Sequence, residues 1–146
     1  MHISRFALAV ASAGLLSAGL LPLAAQAETL KFQATLSAAT EVPPKASKGT
    51  GELQASLDTA TKTLSYTTTY SGLTGPATME HFHGPAAAGV NAPIVVPFKD
   101  PTSGSKGSTV LTDAQIADLE AGKWYVNVHT AANPGGEIRG QVAEVK

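Results

Sequence analysis

The stretch Leu30-Lys-Phe-Gln-Ala-Thr-Leu36 sets the pattern for most of this chain, because apolar and polar residues alternate along it. Alternation with a period of two is typical of a β-strand that buries one face and exposes the other to water. The same alternation returns at residues 53–57 and, after a polar turn, at residues 64–70. The repeated pattern predicts an all-β domain.

Short apolar runs bounded by Gly and Pro predict further strands. They are Ala77–His83, Pro93–Phe98, Gly107–Leu111, Trp124–Thr130 and Glu137–Val145. One short helix is predicted over Asp113–Ala121, because Thr112 and Gln115 have the spacing of a capping box and Gly122 suits a helix end. These elements predict an antiparallel β-sandwich or flattened barrel of about seven or eight strands, superoxide-dismutase-like or immunoglobulin-like in class.

The first 27 residues are predicted to be a signal peptide. Arg5 precedes an apolar run from Phe6 to Leu21, and Ala25-Gln-Ala27 has the small-x-small form that signal peptidase cleaves after. The mature domain is then residues 28–146, and it is expected to be periplasmic or secreted, without membrane insertion after cleavage.

Composition excludes several classes of function. The chain has 10 basic and 11 acidic side chains and a formal net charge of −1, so no excess positive charge is present to attract nucleic acid. Cysteine is absent, which excludes disulfides and thiolate chemistry. The sequence also has no Gly-x-Ser-x-Gly elbow and no Gly-rich phosphate loop, so neither a hydrolase nor a nucleotide-binding protein is expected.

Three of the four histidines lie in two predicted strands. His81 and His83 are two residues apart, so their side chains share one face of a strand. On the Trp124–Thr130 strand, His129 lies on the face opposite the apolar residues. If the two strands are neighbours, the sequence predicts a metal site formed by the three imidazoles.

The ligand types favour copper, with zinc as the alternative. Imidazoles suit both metals, and Met79 shares the face of the histidine pair, so its thioether is predicted as an additional ligand, with a gap-filling core methionine as the alternative. Since unperturbed histidine titrates near 6.5, copper affinity is expected to weaken below about pH 6. A second interpretation remains open, in which the imidazoles form a buried polar network with Asn127, Glu80 or Glu137.

The chain resembles the CHRD (chordin-domain) family along nearly the whole mature protein. The matching pieces are Thr40-Glu-Val-Pro-Pro44, Gly51-Glu-Leu53, Leu64-Ser-Tyr66, Ser71-Gly-Leu73, His81-Phe-His-Gly-Pro85, Leu119-Glu-Ala-Gly-Lys-Trp-Tyr-Val-Asn-Val-His-Thr130 and Pro134-Gly-Gly-Glu-Ile-Arg-Gly-Gln141. The resemblance implies an extracellular module or a small exported bacterial protein. His-Phe-His is also similar to the copper-binding strand of copper/zinc superoxide dismutases, but that family's other ligands and its disulfide have no counterpart here.

Three functions are therefore carried forward. The first is an exported metal-binding protein that stores, buffers or delivers copper through the three histidines. The second is a metal-free extracellular adhesion or ligand-binding module, and the third is a small copper redox enzyme with an open coordination position. A metal ion and another exported protein are the predicted partners.

Overall fold

The computed structural model describes residues 27–146, which form nine β-strands and one α-helix. The strands are β1 Thr29–Ser37, β2 Thr50–Asp58, β3 Thr63–Ser71, β4 Ala77–His83, β5 Ile94–Pro97, β6 Lys106–Val110, β7 Tyr125–Thr130, β8 Ile138–Gln141 and β9 Ala143–Glu144. The helix α1, Asp113–Glu120, lies between β6 and β7. The predicted signal peptide lies outside the described residues except for its last residue, Ala27.

All strand pairs in the described part of the chain are antiparallel. The strand order is β5-β4-β7-β8-β1-β2-β3-β6, and β9 pairs with β1. The sheet curls on itself, so that Phe82 of β4 packs edge-on against Tyr66 of β3 with 5.2 Å between ring centroids. The result is a nearly closed barrel around one apolar core, which confirms the all-β prediction.

The period-two pattern places the core as expected. In β1, Phe32, Ala34 and Leu36 are buried while the residues between them are exposed. In β4, Phe82 faces this core and contacts Phe98 and Trp124 as well as Tyr66. The neighbouring strand β7 is buried at every residue, so its outer face must be covered by something other than the barrel core.

The helix prediction is confirmed, while the last predicted strand needs correction. Thr112 and Gln115 form both hydrogen bonds of the capping box, and Gly122 has a φ of +68°, which suits the residue that ends a helix. The predicted strand Glu137–Val145 is instead divided into β8 and β9, because β8 pairs chiefly with β7 while β9 pairs with β1. Among the described residues, no helix is long and apolar enough to span a membrane.

Candidate metal centre

Strands β4 and β7 are antiparallel neighbours, and their register brings the sequence-predicted residues onto one surface. His81 lies opposite Asn127, and Met79 lies opposite His129. Residues directly opposite each other in a sheet share a face. This outer face therefore carries the histidines, while the other face of the same strands fills the barrel core.

The three imidazoles converge. Nδ1 of His81 lies 3.2 Å from Nε2 of His129, and one ring nitrogen of each histidine lies within 4.8 Å of the others. The side chains of His81, His83 and His129 are between 6 and 9% exposed. A cluster so well shielded from water is unlike three independent surface histidines.

Two backbone carbonyls fix which nitrogens are free. Nδ1 of His83 lies 2.9 Å from the Ala92 carbonyl oxygen, and Nδ1 of His129 lies 2.9 Å from that of Pro134. A carbonyl oxygen only accepts hydrogen bonds, so each Nδ1 carries the proton and donates. In the neutral rings, each Nε2 is therefore left with a lone pair directed into the cluster.

Asn127 lies between these two lone pairs. Its Oδ1 is 3.0 Å from Nε2 of His83 and 2.9 Å from Nε2 of His129, while its Nδ2 donates to Oε1 of Glu41 at 3.3 Å. In this arrangement two imidazole nitrogens and one amide oxygen, all acceptors, approach each other. His81 Nδ1–H supplies a single donor to this group. An acceptor-rich centre of this kind fits a metal cation.

An Asn127 amide rotated by a half turn, with its oxygen and nitrogen exchanged, gives the alternative arrangement. Nδ2 then donates to the two Nε2 atoms, and Oδ1 faces Glu41, which must be protonated to donate. Burial raises the pKa of Glu41, against the opposing hydrogen bonds from the Val42 N–H and Asn127. This is the metal-free polar network that the sequence left open, with Asn127 as its partner.

The other two acids named for that network lie elsewhere. Glu80 lies on the core face of β4, opposite Val128. Glu137 is fully buried and accepts hydrogen bonds from Ser47, Thr74 and Thr130. Neither carboxylate is a hydrogen-bond partner of the imidazoles.

Burial controls the protonation of the histidines. It is the main cause that lowers the pKa of His81 to about 4, and the neighbouring His129 and His83 add to the effect. Burial also lowers the pKa of His83, outweighing the Ala92 carbonyl and the Asn127 amide oxygen, which favour its charged form as hydrogen-bond acceptors. Neutral imidazoles are the form that binds metals.

A covering segment, residues 84–93, closes over the outer face of β7. The ring of Tyr125 stacks on His83 at 4.7 Å with 1° between the planes, and the Arg139 guanidinium lies 3.4 Å from the centroid of the Tyr125 ring. Arg139 also donates to the Val90 carbonyl and to Oδ1 of Asn91. The stack of Tyr125 and Arg139 thus contacts His83 through the Tyr125 ring and the covering segment through the Arg139 guanidinium.

Met79 lies at the edge of the site. Its side chain is 45% exposed, in contrast to the nearly buried histidines. The register opposite His129 keeps it on the predicted face. The structure thus places the thioether at the boundary with solvent.

Sequence analysis missed Glu41 and the part played by Gly136. Glu41 lies 86 residues before Asn127. The one sequence feature that could have indicated it is its place inside Thr40–Pro44, a segment that resembles the CHRD family. Gly136 has a φ of +120°, and a Cβ atom there would lie 2.6 Å from Nδ2 of Asn127 and closer still to Oε1 of Glu41. The glycine therefore leaves the space in which the Glu41–Asn127 hydrogen bond forms.

One cavity of the described residues is not lined by the histidines. It is a shallow groove of about 680 Å³ over β1, β2, β3 and β6. Its lining includes Lys31, Lys106 and several Ser, Thr and Gln residues, but no His or acidic residue. The groove is large, but its lining does not bring reactive or metal-binding side chains together. The histidine cluster is therefore the better candidate site.

Comparison with known proteins gives one match. No curated protein and no solved structure matches the chain. The CHRD domain family matches residues 32–142, which includes most of β1, the covering segment, all three clustered histidines and Glu41. The chain belongs to the CHRD family.

Proposed function

We propose that this protein is an exported metal-binding protein that stores, buffers or delivers copper, with zinc as the alternative metal. The observation that carries the proposal is the pair of carbonyl-anchored histidines, His83 and His129, whose Nε2 lone pairs converge with an amide oxygen and with His81. The occurrence of CHRD domains in extracellular proteins supports the export that the N-terminal sequence predicts.

The proposed ligands are the three imidazoles, and the nature of these donors favours copper or zinc. Neutral imidazoles suit both ions, and a site without thiolates does not resemble a blue-copper centre. Met79 is proposed as an additional contact for Cu(I). Its exposure suits a position where the ion enters the site, since a thioether binds soft ions and is not blocked by protons.

The test is elemental analysis of protein purified without a metal-binding tag, followed by competition titrations with copper and zinc. We expect about one equivalent of metal in the wild type. His81→Ala and His129→Ala should each lower affinity more than about 100-fold, beyond the roughly 10–100-fold that loss of an outer partner costs. Gln54→Ala changes an exposed polar residue of β2 and serves as the control. Unchanged binding in both histidine variants would refute the site.

The metal-free module is the second candidate, and the raised pKa of Glu41 favours it. In that case a protonated Glu41 completes the polar network around Asn127, and the covered outer face of β7 is structural. This alternative forecasts no stoichiometric metal at any pH. The histidine variants would then lower thermal stability only, because their buried partners lose hydrogen bonds.

A further inference from the structure

We propose that Asn127 is the fourth ligand of this site, and that its amide oxygen gives the site a preference for divalent ions, Cu(II) or Zn(II), over Cu(I). The inference rests on the metal site proposed above. It concerns which ion the site holds, rather than whether it holds one.

The positions of the donor atoms support four-coordination. Bonds of about 2.0–2.1 Å in a tetrahedral site separate neighbouring ligand atoms by about 3.3–3.4 Å. Here Oδ1 of Asn127 lies 3.0 and 2.9 Å from the two Nε2 atoms. Nδ1 of His81 lies 3.2 Å from Nε2 of His129, and it becomes a ligand atom when the neutral ring takes the tautomer that carries its proton on Nε2. An ion would spread these contacts by a few tenths of an ångström, while the remaining histidine separations, up to 4.8 Å, would contract.

Glu41 sets the orientation of the Asn127 side-chain amide from the side away from the histidines. Glu41 is 3% exposed and accepts from Nδ2 of Asn127, so the ionised carboxylate holds the oxygen of the amide towards the histidines. A hydrogen bond from an amide N–H to a carboxylate also increases the negative charge on the amide oxygen. Glu41 therefore acts as a positioning residue, and it supplies a buried negative charge near a divalent ion.

The type of donor determines the preference. An amide oxygen is a hard donor, and it binds divalent ions better than Cu(I), which favours sulfur ligands. The sulfur available nearby is that of Met79, at the exposed edge of the face. Asn127, by contrast, is 3% exposed and lies among the imidazoles. The deep position thus carries a hard fourth donor and the exposed position a soft one.

The test compares Cu(II), Zn(II) and Cu(I) affinities of the wild type, Asn127→Leu, Asn127→Asp and Met79→Leu, using competing chromophoric chelators. Asn127→Leu should lower affinity for both divalent ions at least about 10-fold while changing Cu(I) affinity less than about 3-fold. Asn127→Asp restores an oxygen donor and should recover divalent binding. Wild-type divalent affinity in Asn127→Leu would overturn the inference, as would a loss of divalent binding confined to Met79→Leu.

A measurement on the wild type keeps the test independent of how the variants fold. The chain has three asparagines, so the side-chain amides of Asn91 and Asn133 serve as internal controls in NMR spectra. Saturation with Zn(II) should shift the side-chain carbon and nitrogen signals of Asn127 well beyond those of the controls, and Cu(I) should shift them less. Zn(II) binding without such a shift overturns the fourth ligand but leaves the metal site standing. No binding by the wild type overturns the proposed function itself.

Discussion

At the scale of single residues, the site depends on groups that carry no metal-binding signal of their own. The carbonyls of Ala92 and Pro134 decide which nitrogen of His83 and His129 is free. Any residue could supply these carbonyls, so their identity gives no hint of the role. The sequence does indicate that His81 and His83 share one face of a strand, because side chains two residues apart in a strand point to the same side.

Gly136 gives a residue-scale prediction. Gly136→Ala adds a Cβ atom that would meet Oε1 of Glu41 and Nδ2 of Asn127, at a φ of +120° that L-residues avoid. We expect the variant to lose roughly 1–3 kcal/mol of stability from backbone strain, and at least about 10-fold in metal affinity from the displaced Glu41–Asn127 pair. Urea unfolding and metal titration measure the two effects.

The neighbouring glycine supplies the control for that experiment. A Cβ atom at Gly135 would meet nothing within 4 Å. Gly135→Ala should therefore leave both stability and affinity close to those of the wild type. Equal effects of the two substitutions would show that the turn, rather than the contact with Glu41 and Asn127, is responsible.

At the scale of elements, local patterns predicted the strands better than the loops. The bounds Ala77–His83 of β4 follow from sequence alone, and so does the helix cap at Thr112. The break between β8 and β9 does not, because it depends on which distant strands they pair with, β7 for β8 and β1 for β9. Glu41 was missed for the same reason, since only the folded sheet brings it to Asn127.

Glu137 connects residues from several parts of the chain, and replacing it should lower the stability of the fold. Its carboxylate accepts from the hydroxyls of Ser47, Thr74 and Thr130. Burial by itself would raise the pKa of Glu137, but these hydrogen bonds outweigh it and lower the pKa to about 2. The stabilisation of the fold by the ionised Glu137 carboxylate is thus present above pH 4.5 and is lost as pH falls towards 2.

Glu137→Gln replaces one accepting oxygen with a donor that faces hydroxyl donors. We expect the free energy of unfolding at pH 7 to fall by roughly 1–3 kcal/mol, measured by urea denaturation. Glu52→Gln, on the exposed face of β2, should stay within about 0.5 kcal/mol of the wild type. A similar small change in Glu137→Gln would contradict the structural role given to the buried carboxylate.

The cap of α1 gives a second prediction for an element. Thr112 accepts from the Gln115 N–H at 3.2 Å, and Gln115 Oε1 accepts from the Thr112 N–H at 2.9 Å. Thr112→Ala removes the first of these bonds and should destabilise the protein by about 1 kcal/mol, while Thr112→Ser keeps the hydroxyl and should not. Thermal unfolding of the two variants decides the matter.

At the scale of the whole molecule, β4 separates two buried groups with opposite responses to pH. Glu80 faces the barrel core, where burial raises its pKa to about 7 against a smaller opposing effect of Thr68, and where Tyr66 and Tyr70 are the titratable neighbours. His81 faces the histidine cluster, where burial lowers its pKa to about 4. Glu41 responds in the same direction as Glu80, and His83 in the same direction as His81.

The signs follow from proton binding by the folded and unfolded chains. The raised pKa of Glu80 means that the folded, metal-free protein holds a proton that the unfolded chain releases above pH 4.5, so stability is lost as pH rises from 4.5 to about 7. The lowered pKa of His81 means that the unfolded chain takes up a proton below pH 6.5, so stability is lost as pH falls from 6.5 to about 4. Between pH 4.5 and 6.5 the two slopes oppose each other.

Variants of the metal-free protein should separate the two slopes. Glu80→Gln should gain stability relative to the wild type as pH rises, up to about 3 kcal/mol at pH 7 and above, because moving a pKa from 4.5 to about 7 corresponds to that free energy. His81→Asn should gain relative to the wild type in the opposite direction, as pH falls from 6.5 to about 4. The measurement is urea unfolding at half-unit pH steps from 4 to 8, with a chelator present. Difference curves that stay flat for both variants would contradict the buried, uncharged state assigned to these two side chains.

The low pKa of His81 also bears on the proposed copper site. It moves the competition between protons and copper below the pH 6 expected from unperturbed histidine, so copper should be retained to nearer pH 5.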